Sequence, residues 1–325
     1  MPPAPADRDR WPRVAIVGAG AVGCFYGAML ARAGAPVTLV GRAGHVDAIR
    51  REGLVLEMRG TREHLRADAS TDAAAAQGAR LVLVCVKSGD TEAAARSLAP
   101  HVAPDTIVVS LQNGVDNPAR MRPLLAAEVL GCVVYVGCEM AGPGHVRHMG
   151  RGELVIGGRA GSAAAARAAR EVAATFERAG VRCTVSDNIE GELWTKLIVN
   201  CAYNALSALS RLPYGTMVAS PWSQQVMPQV VEEAVAVARA DGVRLDTAGL
   251  LDRVLKIAQT MPGQISSTAQ DINAGKASEI DALNGYVARR GEALDVPTPV
   301  NRTLHALVKL LEVAAVRPRS PDARA

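Results

Sequence analysis

The sequence is poor in aromatic residues and has no strong excess of charge of either sign. Aromatic side chains make up 3% of the 325 residues, which argues against a base-stacking platform for nucleic acid. The 36 lysines and arginines are scattered among 32 acidic residues, and the net charge of +4 leaves no basic stripe. We therefore expect no nucleic-acid partner.

Cysteine pairs and long apolar runs are also missing. The six cysteines include no Cys-x-x-Cys pair, which fits reduced thiols better than a zinc site or a disulfide framework. His145 and His148 lie in a predicted hairpin, where residues three apart face opposite sides of a strand, so they make a poor metal pair. No apolar stretch reaches membrane-spanning length, and Met1 to Trp11 lacks the apolar core of a signal peptide. We expect a soluble, cytoplasmic protein with no metal and no membrane association.

Short apolar runs alternate with helical segments in the first half of the chain. This pattern predicts an α/β domain of the Rossmann type, in which helices cover both faces of a doubly wound parallel sheet. Continuous runs of Val, Ile and Leu suit strands buried on both faces. The predicted strands span residues 14–17, 36–40, 81–86 and 106–111, then 129–136 and 153–156 at the sheet's edge, and 181–185 after a helix over 163–178.

The chain is long enough for two domains, and strand signals stop near Asn188. Long segments with helical apolar periodicity follow, which predicts an all-α second domain. The predicted division is a flexible tail over 1–12, a Rossmann domain over 13–187, a helical domain over 188–316, and a flexible tail over 317–325.

A glycine motif joins the first predicted strand to the next helix. In this context Gly18 permits a tight turn, Gly20 lets the backbone approach a pyrophosphate, and Gly23 allows the helix to pack on the strand. The helix N-terminus offers free amides to the anion. A purely structural turn is the alternative. The predicted cofactor-binding residues here are Gly18, Ala19, Gly20, Ala21, Val22 and Gly23.

Arg42 follows the second predicted strand, where NAD enzymes usually place a carboxylate for the ribose hydroxyls. A guanidinium binds a 2′-phosphate in a planar fork, and Gly41 leaves room for that phosphate. We therefore expect NADPH as the cofactor. The alternative is a solvated loop arginine.

Lys87 and Asn113 come directly after two further strands. The carboxyl ends of parallel strands are where open sheets bind ligands, so both residues are candidates for a ligand site. Each also has an ordinary explanation, since lysines are common in loops and Asn-Gly is a common turn pair.

A polar stripe runs along an apolar helix in the second half. Lys196, Asn200 and Asn204 are spaced by four and therefore share one face. Leaving an ammonium and two carboxamides buried without partners costs several kcal/mol, so the stripe lines a cleft or joins an internal network. In a cleft, Lys196 can neutralise and protonate a carbonyl oxygen that accepts hydride. The alternatives are a satisfied core network or a lysine that reaches solvent.

Ser267 and Glu279 belong to a second polar cluster. Propensity alone explains them as helix caps: Ser267 with Gln270 fits a capping box, and Ser278 can cap the next helix with Glu279 in its first turn.

Together these residues resemble the ketopantoate reductase (2-dehydropantoate 2-reductase) family, from Val14 to about Leu311. The resemblance rests on the glycine motif, on Lys196, Asn200 and Asn204 after Trp194, and on two C-terminal runs. Those runs are Ser266, Ser267, Gln270 and Asp271, then Glu279, Ile280, Asp281, Asn284 and Gly285.

The resemblance implies an NADPH-dependent enzyme that reduces ketopantoate to pantoate, for pantothenate and coenzyme A biosynthesis, with a helical domain like that of 6-phosphogluconate dehydrogenase. Lys196 is then the general acid. The implied substrate-binding residues are Asn113, Lys196, Asn200, Asn204 and Ser267, and the implied cofactor-binding residues beyond the glycine motif are Arg42, Lys87, Asn113, Gly137 and Glu279.

Tyr214 departs from the family, because some members have a substrate-binding asparagine at this position. Reduction of another branched 2-oxo acid, or a hydroxy-acid dehydrogenase of the same superfamily, therefore stays open, as does a non-catalytic NADPH sensor. The sequence leaves the oligomeric state undecided, with a homodimer as one option.

Overall fold

The computed structural model of the protein describes residues 11–316. The chain divides into two compact units between Glu192 and Leu193, a few residues after the position predicted from the sequence. Trp11, assigned above to the N-terminal tail, is buried in the first unit's core, with the Arg178 guanidinium 3.9 Å above its ring. The remainder of the predicted tails, apart from Pro12, lies outside the described residues.

The first unit is an α/β unit, and its described part contains a ten-stranded sheet. The strands are β1 (Val14–Val17), β2 (Val37–Val40), β3 (Leu54–Met58), β4 (Thr61–Leu65), β5 (Asp68–Ser70), β6 (Leu81–Val84), β7 (Ile107–Ser110), β8 (Glu128–Gly142), β9 (His145–Gly157) and β10 (Cys183–Val185). The helices are α1 (Ala21–Arg32), α2 (Ala43–Glu52), α3 (Thr91–Leu98), α4 (Asn117–Met121) and α5 (Ala163–Arg178), followed by α6 (Ile189–Ser210), which continues into the second unit.

The strand order is β4-β3-β9-β8-β7-β6-β1-β2-β5, and β10 pairs with β9. The run from β5 through β8 is parallel, whereas β8 with β9 and β3 with β4 are antiparallel. The Rossmann-type fold class is confirmed, and antiparallel strands extend the sheet.

Two details of the predicted sheet are wrong. Strands β3, β4 and β5 were not predicted; β4 is a polar, largely exposed edge strand, and charged edges lack an apolar signal. Strands β8 and β9 are also longer than predicted and are interior to the sheet, because the hairpin continues through polar residues and three register shifts.

The parallel strands are buried on both faces, as the continuous apolar runs predict. On β1, Ile16 packs in the core shared with α1 and α5, while Ala15 packs in the core on the other face. On β6, Leu83 packs in the same core as Ile16, and Val82 packs in the same core as Ala15. Side chains alternate across a strand, so neither face can carry polar residues without a cost.

The second unit is all helical over its described residues, which confirms that prediction. After α6 it contains α7 (Tyr214–Ala219), α8 (Pro221–Ala240), α9 (Leu250–Thr260), α10 (Ser267–Asn273), α11 (Asn284–Ala293) and α12 (Pro299–Val316). No helix within residues 11–316 combines the length and the apolar character needed to cross a membrane.

Buried polar groups fix the start of α12. The Glu233 carboxylate on α8 accepts hydrogen bonds from the amides of Val300 (2.8 Å) and Asn301 (2.9 Å). The Asn301 Oδ1 accepts from Asn284 Nδ2 at 2.9 Å, which ties in α11. A carboxylate is favoured at a helix N-terminus because it satisfies free amides and opposes the dipole.

Candidate functional site

The glycine motif forms a tight loop between β1 and α1. Gly18 has a φ of +111°, and a Cβ at that position would lie 2.6 Å from the Cys85 carbonyl carbon, just after β6. A Cβ at Gly23 would lie 2.1 Å from the Gly18 carbonyl oxygen. Both positions therefore require glycine, one for backbone conformation and close approach and one for packing of α1 against the loop.

Gly20 differs from these two glycines because open space surrounds it. No heavy atom outside its immediate chain neighbours lies within 4 Å of a Cβ built there. Gly20 is the N-cap of α1, has no side-chain cap, and is followed by a first turn without acidic residues. Free amides at an uncapped, accessible helix N-terminus fit a pyrophosphate.

Arg42 lies at the end of β2 as the N-cap of α2. Its side chain is exposed and makes no hydrogen bond or ion pair to any other described residue. A Cβ at Gly41 would lie 2.6 Å from the Ala19 Cβ, so the missing side chain makes room for the glycine loop.

Lys87 and Asn113 lie in neighbouring loops after β6 and β7. The Ser88 hydroxyl donates to the Asn113 carbonyl oxygen at 2.6 Å, which joins the loops directly. The Asn117 side-chain amide donates to the same oxygen at 2.7 Å. The structure therefore brings Lys87 and Asn113 to one edge of the sheet, as strand order predicts.

The sequence did not single out the buried network behind these loops. The Thr91 hydroxyl donates to Asn117 Oδ1 at 2.8 Å and accepts from Gln112 Nε2 at 2.7 Å. Ser88, Thr91, Gln112 and Asn117 are all buried. Small polar residues directly after apolar strands were the available signal, since buried polar groups need partners.

Gly137 lies on β8 opposite Gly150, beside a register shift. Burial, and then the neighbouring Cys138, raise the pKa of the Cys24 thiol in the first turn of α1 to about 12. Cys138 packs against the core that contains Cys24, so the strand around Gly137 lies near the beginning of α1. All six cysteines are free thiols.

The polar stripe lies on α6 within the second unit. Lys196 and Asn200 are half-buried, whereas Leu197, Ile198 and Cys201 between and beside them are fully buried. Asn204 is buried, and its Nδ2 donates to Ser267 Oγ and Thr268 Oγ1, both at 3.3 Å. The structure thus brings Asn204 and Ser267 together from two different helices.

Ser267 is not the cap of α10. That role belongs to Ser266, whose hydroxyl oxygen accepts from the Ala269 amide at 3.1 Å. Ser266 also donates to the Asn204 carbonyl oxygen at 3.2 Å. Ser267 is exposed, so its hydroxyl stays available beside Asn204.

Glu279 is half-buried and precedes a short 3₁₀ turn, Ile280–Ala282. Ser278 does not cap a following α-helix. Its hydroxyl oxygen accepts from the Ile280 amide at 3.2 Å and its hydrogen is donated to Glu312 at 2.6 Å.

Tyr214 begins α7 and is only 8% exposed. Its ring packs against that of Tyr203 with 4.4 Å between centroids, and Tyr203 donates its own hydroxyl to the Val254 carbonyl oxygen at 2.8 Å. The Tyr214 hydroxyl has no hydrogen-bond partner within residues 11–316. Tyr203 occupies the same side of α6 as Lys196 and Asn200, so the tyrosine pair lies at one end of the stripe.

Within residues 11–316, no three His, Cys, Asp or Glu side chains form a group that could hold a metal ion. His145 contacts Glu57 at 3.0 Å, and His148 stacks on Phe25 with 4.7 Å between centroids.

A Rossmann-type sheet with a glycine loop, followed by a helical unit with a polar stripe, defines the class of two-domain dinucleotide-dependent oxidoreductases. Residues 14–161 match the family described as ketopantoate reductase PanE/ApbA, and residues 188–312 match its C-terminal domain. The chain belongs to the ketopantoate reductase family. The family and the oxidoreductase class predicted from the sequence are confirmed.

Known relatives resemble the chain over nearly its whole length. The 2-dehydropantoate 2-reductase of Halobacterium salinarum is 37% identical over 307 residues, which cover 92% of this chain and 99% of the relative. The crystal structure of a PanE/ApbA family ketopantoate reductase from Ralstonia eutropha has 53% identity and a TM-score of 0.87, covering 94% and 100% of the two chains.

A second similar structure is named for a different activity. D-mandelate dehydrogenase with NADH and anilino(oxo)acetate has a TM-score of 0.87 and 25% identity, and the match covers 93% of this chain and 99% of that one.

Proposed function

We propose that the protein reduces 2-dehydropantoate to pantoate with NADPH. The observation that carries the proposal is the α6 stripe of Lys196, Asn200 and Asn204, with Ser267 beside Asn204, in a chain of the ketopantoate reductase family. A cationic donor next to several neutral hydrogen-bonding groups suits a carboxylate and a carbonyl on one small molecule.

The first unit holds the cofactor. The free amides of α1 donate hydrogen bonds to the pyrophosphate beside Gly20. The open space at Gly20 supports this fit. Lys87, Asn113 and Gly137 contribute at the carboxyl edge of the sheet, and Glu279 is a further cofactor-binding residue. When bound, the nicotinamide cofactor supplies the hydride that adds to the keto carbon.

Arg42 selects NADPH over NADH by pairing with the 2′-phosphate. Its exposed, unpaired guanidinium at the N-terminus of α2 supports this assignment, because a helix N-terminus and a guanidinium both favour a phosphate. The D-mandelate dehydrogenase relative was solved with NADH, so family membership alone does not assign the phosphate.

Lys196 donates the proton that converts the substrate's carbonyl oxygen into the product's hydroxyl. Its ammonium also stabilises the negative charge that develops on this oxygen. Asn200 and Asn204 hold the rest of the substrate by hydrogen bonds, and Ser267 binds the carboxylate. The buried contacts of Asn204 support a fixed orientation for its side chain.

A second candidate function is reduction of another 2-oxo acid. Two observations favour it: Tyr214 replaces the asparagine of some family members, and a similar structure is a D-mandelate dehydrogenase. The non-catalytic sensor is the third option.

Steady-state oxidation of NADPH decides among the three functions. We expect ketopantoate to give a higher kcat/KM than pyruvate, 2-oxoisovalerate or benzoylformate. A higher kcat/KM for one of the other acids would move the assignment to the second candidate. NADPH binding without turnover of any acid would support the sensor.

A further inference from the structure

The segment that carries Glu279 has little regular structure of its own. It lies between α10 and α11, residues 273–277 are exposed, and only the turn Ile280–Ala282 follows. Ordering such a segment costs backbone entropy. Contacts from elsewhere must therefore fix the position of Glu279.

Those contacts come from one face of α12. His305, Lys309 and Glu312 are spaced by four and three residues and therefore project from the same side of the helix. We call these three residues the charged face of α12.

The charged face of α12 fixes the residue before Glu279. The amide and the hydroxyl of Ser278 both donate to Glu312 Oε1, at 2.8 and 2.6 Å. The Glu312 side chain is only 12% exposed, so these bonds are shielded from water. Burial acts to raise its pKa, but the bonds from Lys309 and Ser278 outweigh burial, and the pKa of Glu312 is lowered.

The same face also holds the residue two positions after Glu279. Asp281 contacts His305 Nε2 at 2.6 Å and Lys309 Nζ at 2.9 Å through its two carboxylate oxygens. Lys309 Nζ also lies 2.7 Å from Glu312 Oε2, so one ammonium links both anchors. A Cβ at Gly285 would lie 2.8 Å from the His305 ring, which leaves α11 close against this face.

We infer that the charged face of α12 positions Glu279 for cofactor binding, with Glu312 as the main positioning residue and Lys309 as the second. The inference rests on the proposed function, in which Glu279 contacts the cofactor. Glu312 dominates because its charge-assisted bonds are buried, whereas the more exposed Asp281 pairs with Lys309 and His305 contribute less.

The test compares Glu312→Ala with Glu312→Gln and with Glu292→Ala. Glu292 of α11 pairs with Arg302 of α12 at 3.5 Å and makes no hydrogen bond or ion pair with residues 273–282, so it is a matched control. We expect Glu312→Ala to weaken NADPH binding and to lower kcat about tenfold, because small misplacements of a binding group are costly. In Glu312→Gln, NADPH binding and kcat should lie within about threefold of the wild type, because the new amide oxygen still accepts from Ser278. In Glu292→Ala, both quantities should lie within about twofold of the wild type.

A double-mutant cycle with Glu279→Ala separates positioning from general stability. If Glu312 acts through Glu279, Glu312→Ala should weaken NADPH binding less than about twofold further in that background. A full, multiplicative loss in the double variant would overturn the inference, as would unchanged binding in the single variant. If Glu312→Ala does not fold, the same cycle is measured with Lys309→Met, which we expect to weaken NADPH binding about threefold.

The proposed function and the positioning role of Glu312 are tested by different measurements. Absence of ketopantoate reduction by the wild type would overturn the proposed function. The coupling between positions 279 and 312 is measured by NADPH fluorescence titration and does not depend on which acid is reduced.

Discussion

At the scale of single residues, Lys196 carries the chemistry that is proposed for α6. We predict that Lys196→Ala lowers kcat by at least about a thousandfold, because it removes both the proton donor and the charge beside the carbonyl oxygen. NADPH binding should remain within about threefold of the wild type. Single-turnover kinetics and a fluorescence titration measure the two effects, and substantial residual turnover would remove Lys196 as the acid.

Arg42 has a single predicted role, which makes its replacement informative. Arg42→Ala should weaken NADPH binding about tenfold to a hundredfold and change NADH binding less than about twofold, because only NADPH has the 2′-phosphate. Dissociation constants for both cofactors test this. Equal losses for NADPH and NADH would contradict the phosphate contact.

Tyr214 places an unpaired hydroxyl at the end of the polar stripe. We predict that Tyr214→Phe lowers kcat/KM for ketopantoate about tenfold, which corresponds to one lost hydrogen bond. The matched substrate is 3,3-dimethyl-2-oxobutanoate, which has the same carbon skeleton without the hydroxyl, and its kcat/KM should change less than about twofold. Similar losses for both acids would indicate that Tyr214 acts through packing against Tyr203.

At the scale of elements, the first turn of α1 depends on the absence of a side chain. Gly23→Ala would place a methyl group 2.1 Å from the Gly18 carbonyl oxygen, so α1 must move away from the loop. We predict a loss of NADPH binding of at least about tenfold together with a lower melting temperature.

Gly20→Ala is the matched control, because its Cβ enters open space. It should leave the melting temperature of the protein without cofactor nearly unchanged. It should lower the affinity for NADPH, because the added methyl group occupies the space that the pyrophosphate approaches. Equal thermal destabilisation by both variants would contradict the packing argument.

The sheet illustrates why some elements are visible in a sequence and others are not. β1, β6 and β7 are short apolar runs buried on both faces, so composition alone predicts them. β4 contains Arg62, Glu63 and His64 and lies at an exposed edge of the sheet. Charged residues there prevent edge-to-edge aggregation, but they also remove the apolar pattern by which a strand is predicted. The polar half of the β8–β9 hairpin is set by pairing between strands, which no local pattern encodes.

At the scale of the whole molecule, acid should destabilise the fold partly through the pair that links α3 and α4. Hydrogen bonds from Arg120 lower the pKa of Glu92 from 4.5 to about 2, against the opposing effect of burial. A lowered pKa adds stability above about pH 4.5, and this stability is lost as the pH falls towards 2. We predict that Glu92→Gln is less stable at pH 7 by about 1 kcal/mol, since the pair is partly exposed.

The difference in urea midpoint between the wild type and Glu92→Gln should shrink between pH 5 and pH 3. Glu52→Gln removes an exposed pair with Arg51 and serves as the control, with no expected difference at any pH. A Glu92→Gln difference that stays constant with pH would contradict the linkage.

The two halves of the molecule were predictable to different degrees. Glycine spacing and strand order were enough to predict the loop between β1 and α1 and the common edge of Lys87 and Asn113, because local backbone geometry decides both. The stripe on α6 followed from helical periodicity, whereas Ser267 and Glu279 had equally good explanations as caps. Only the tertiary structure assigns the cap to Ser266 and leaves Ser267 beside Asn204. The network behind Lys87 and Asn113 joins segments more than twenty residues apart, so no local pattern reports it.

The contact between Gly41 and Ala19 limits how the cofactor preference of this protein can be redesigned. A carboxylate for the ribose hydroxyls of NADH cannot be introduced at position 41 without moving the glycine loop, because any side chain there collides with Ala19. Position 42 is exposed, so an acidic replacement of Arg42 leaves this packing undisturbed. Under the proposed role of Arg42, single substitutions therefore have an open route to NADH through residue 42 and a closed one through its neighbour.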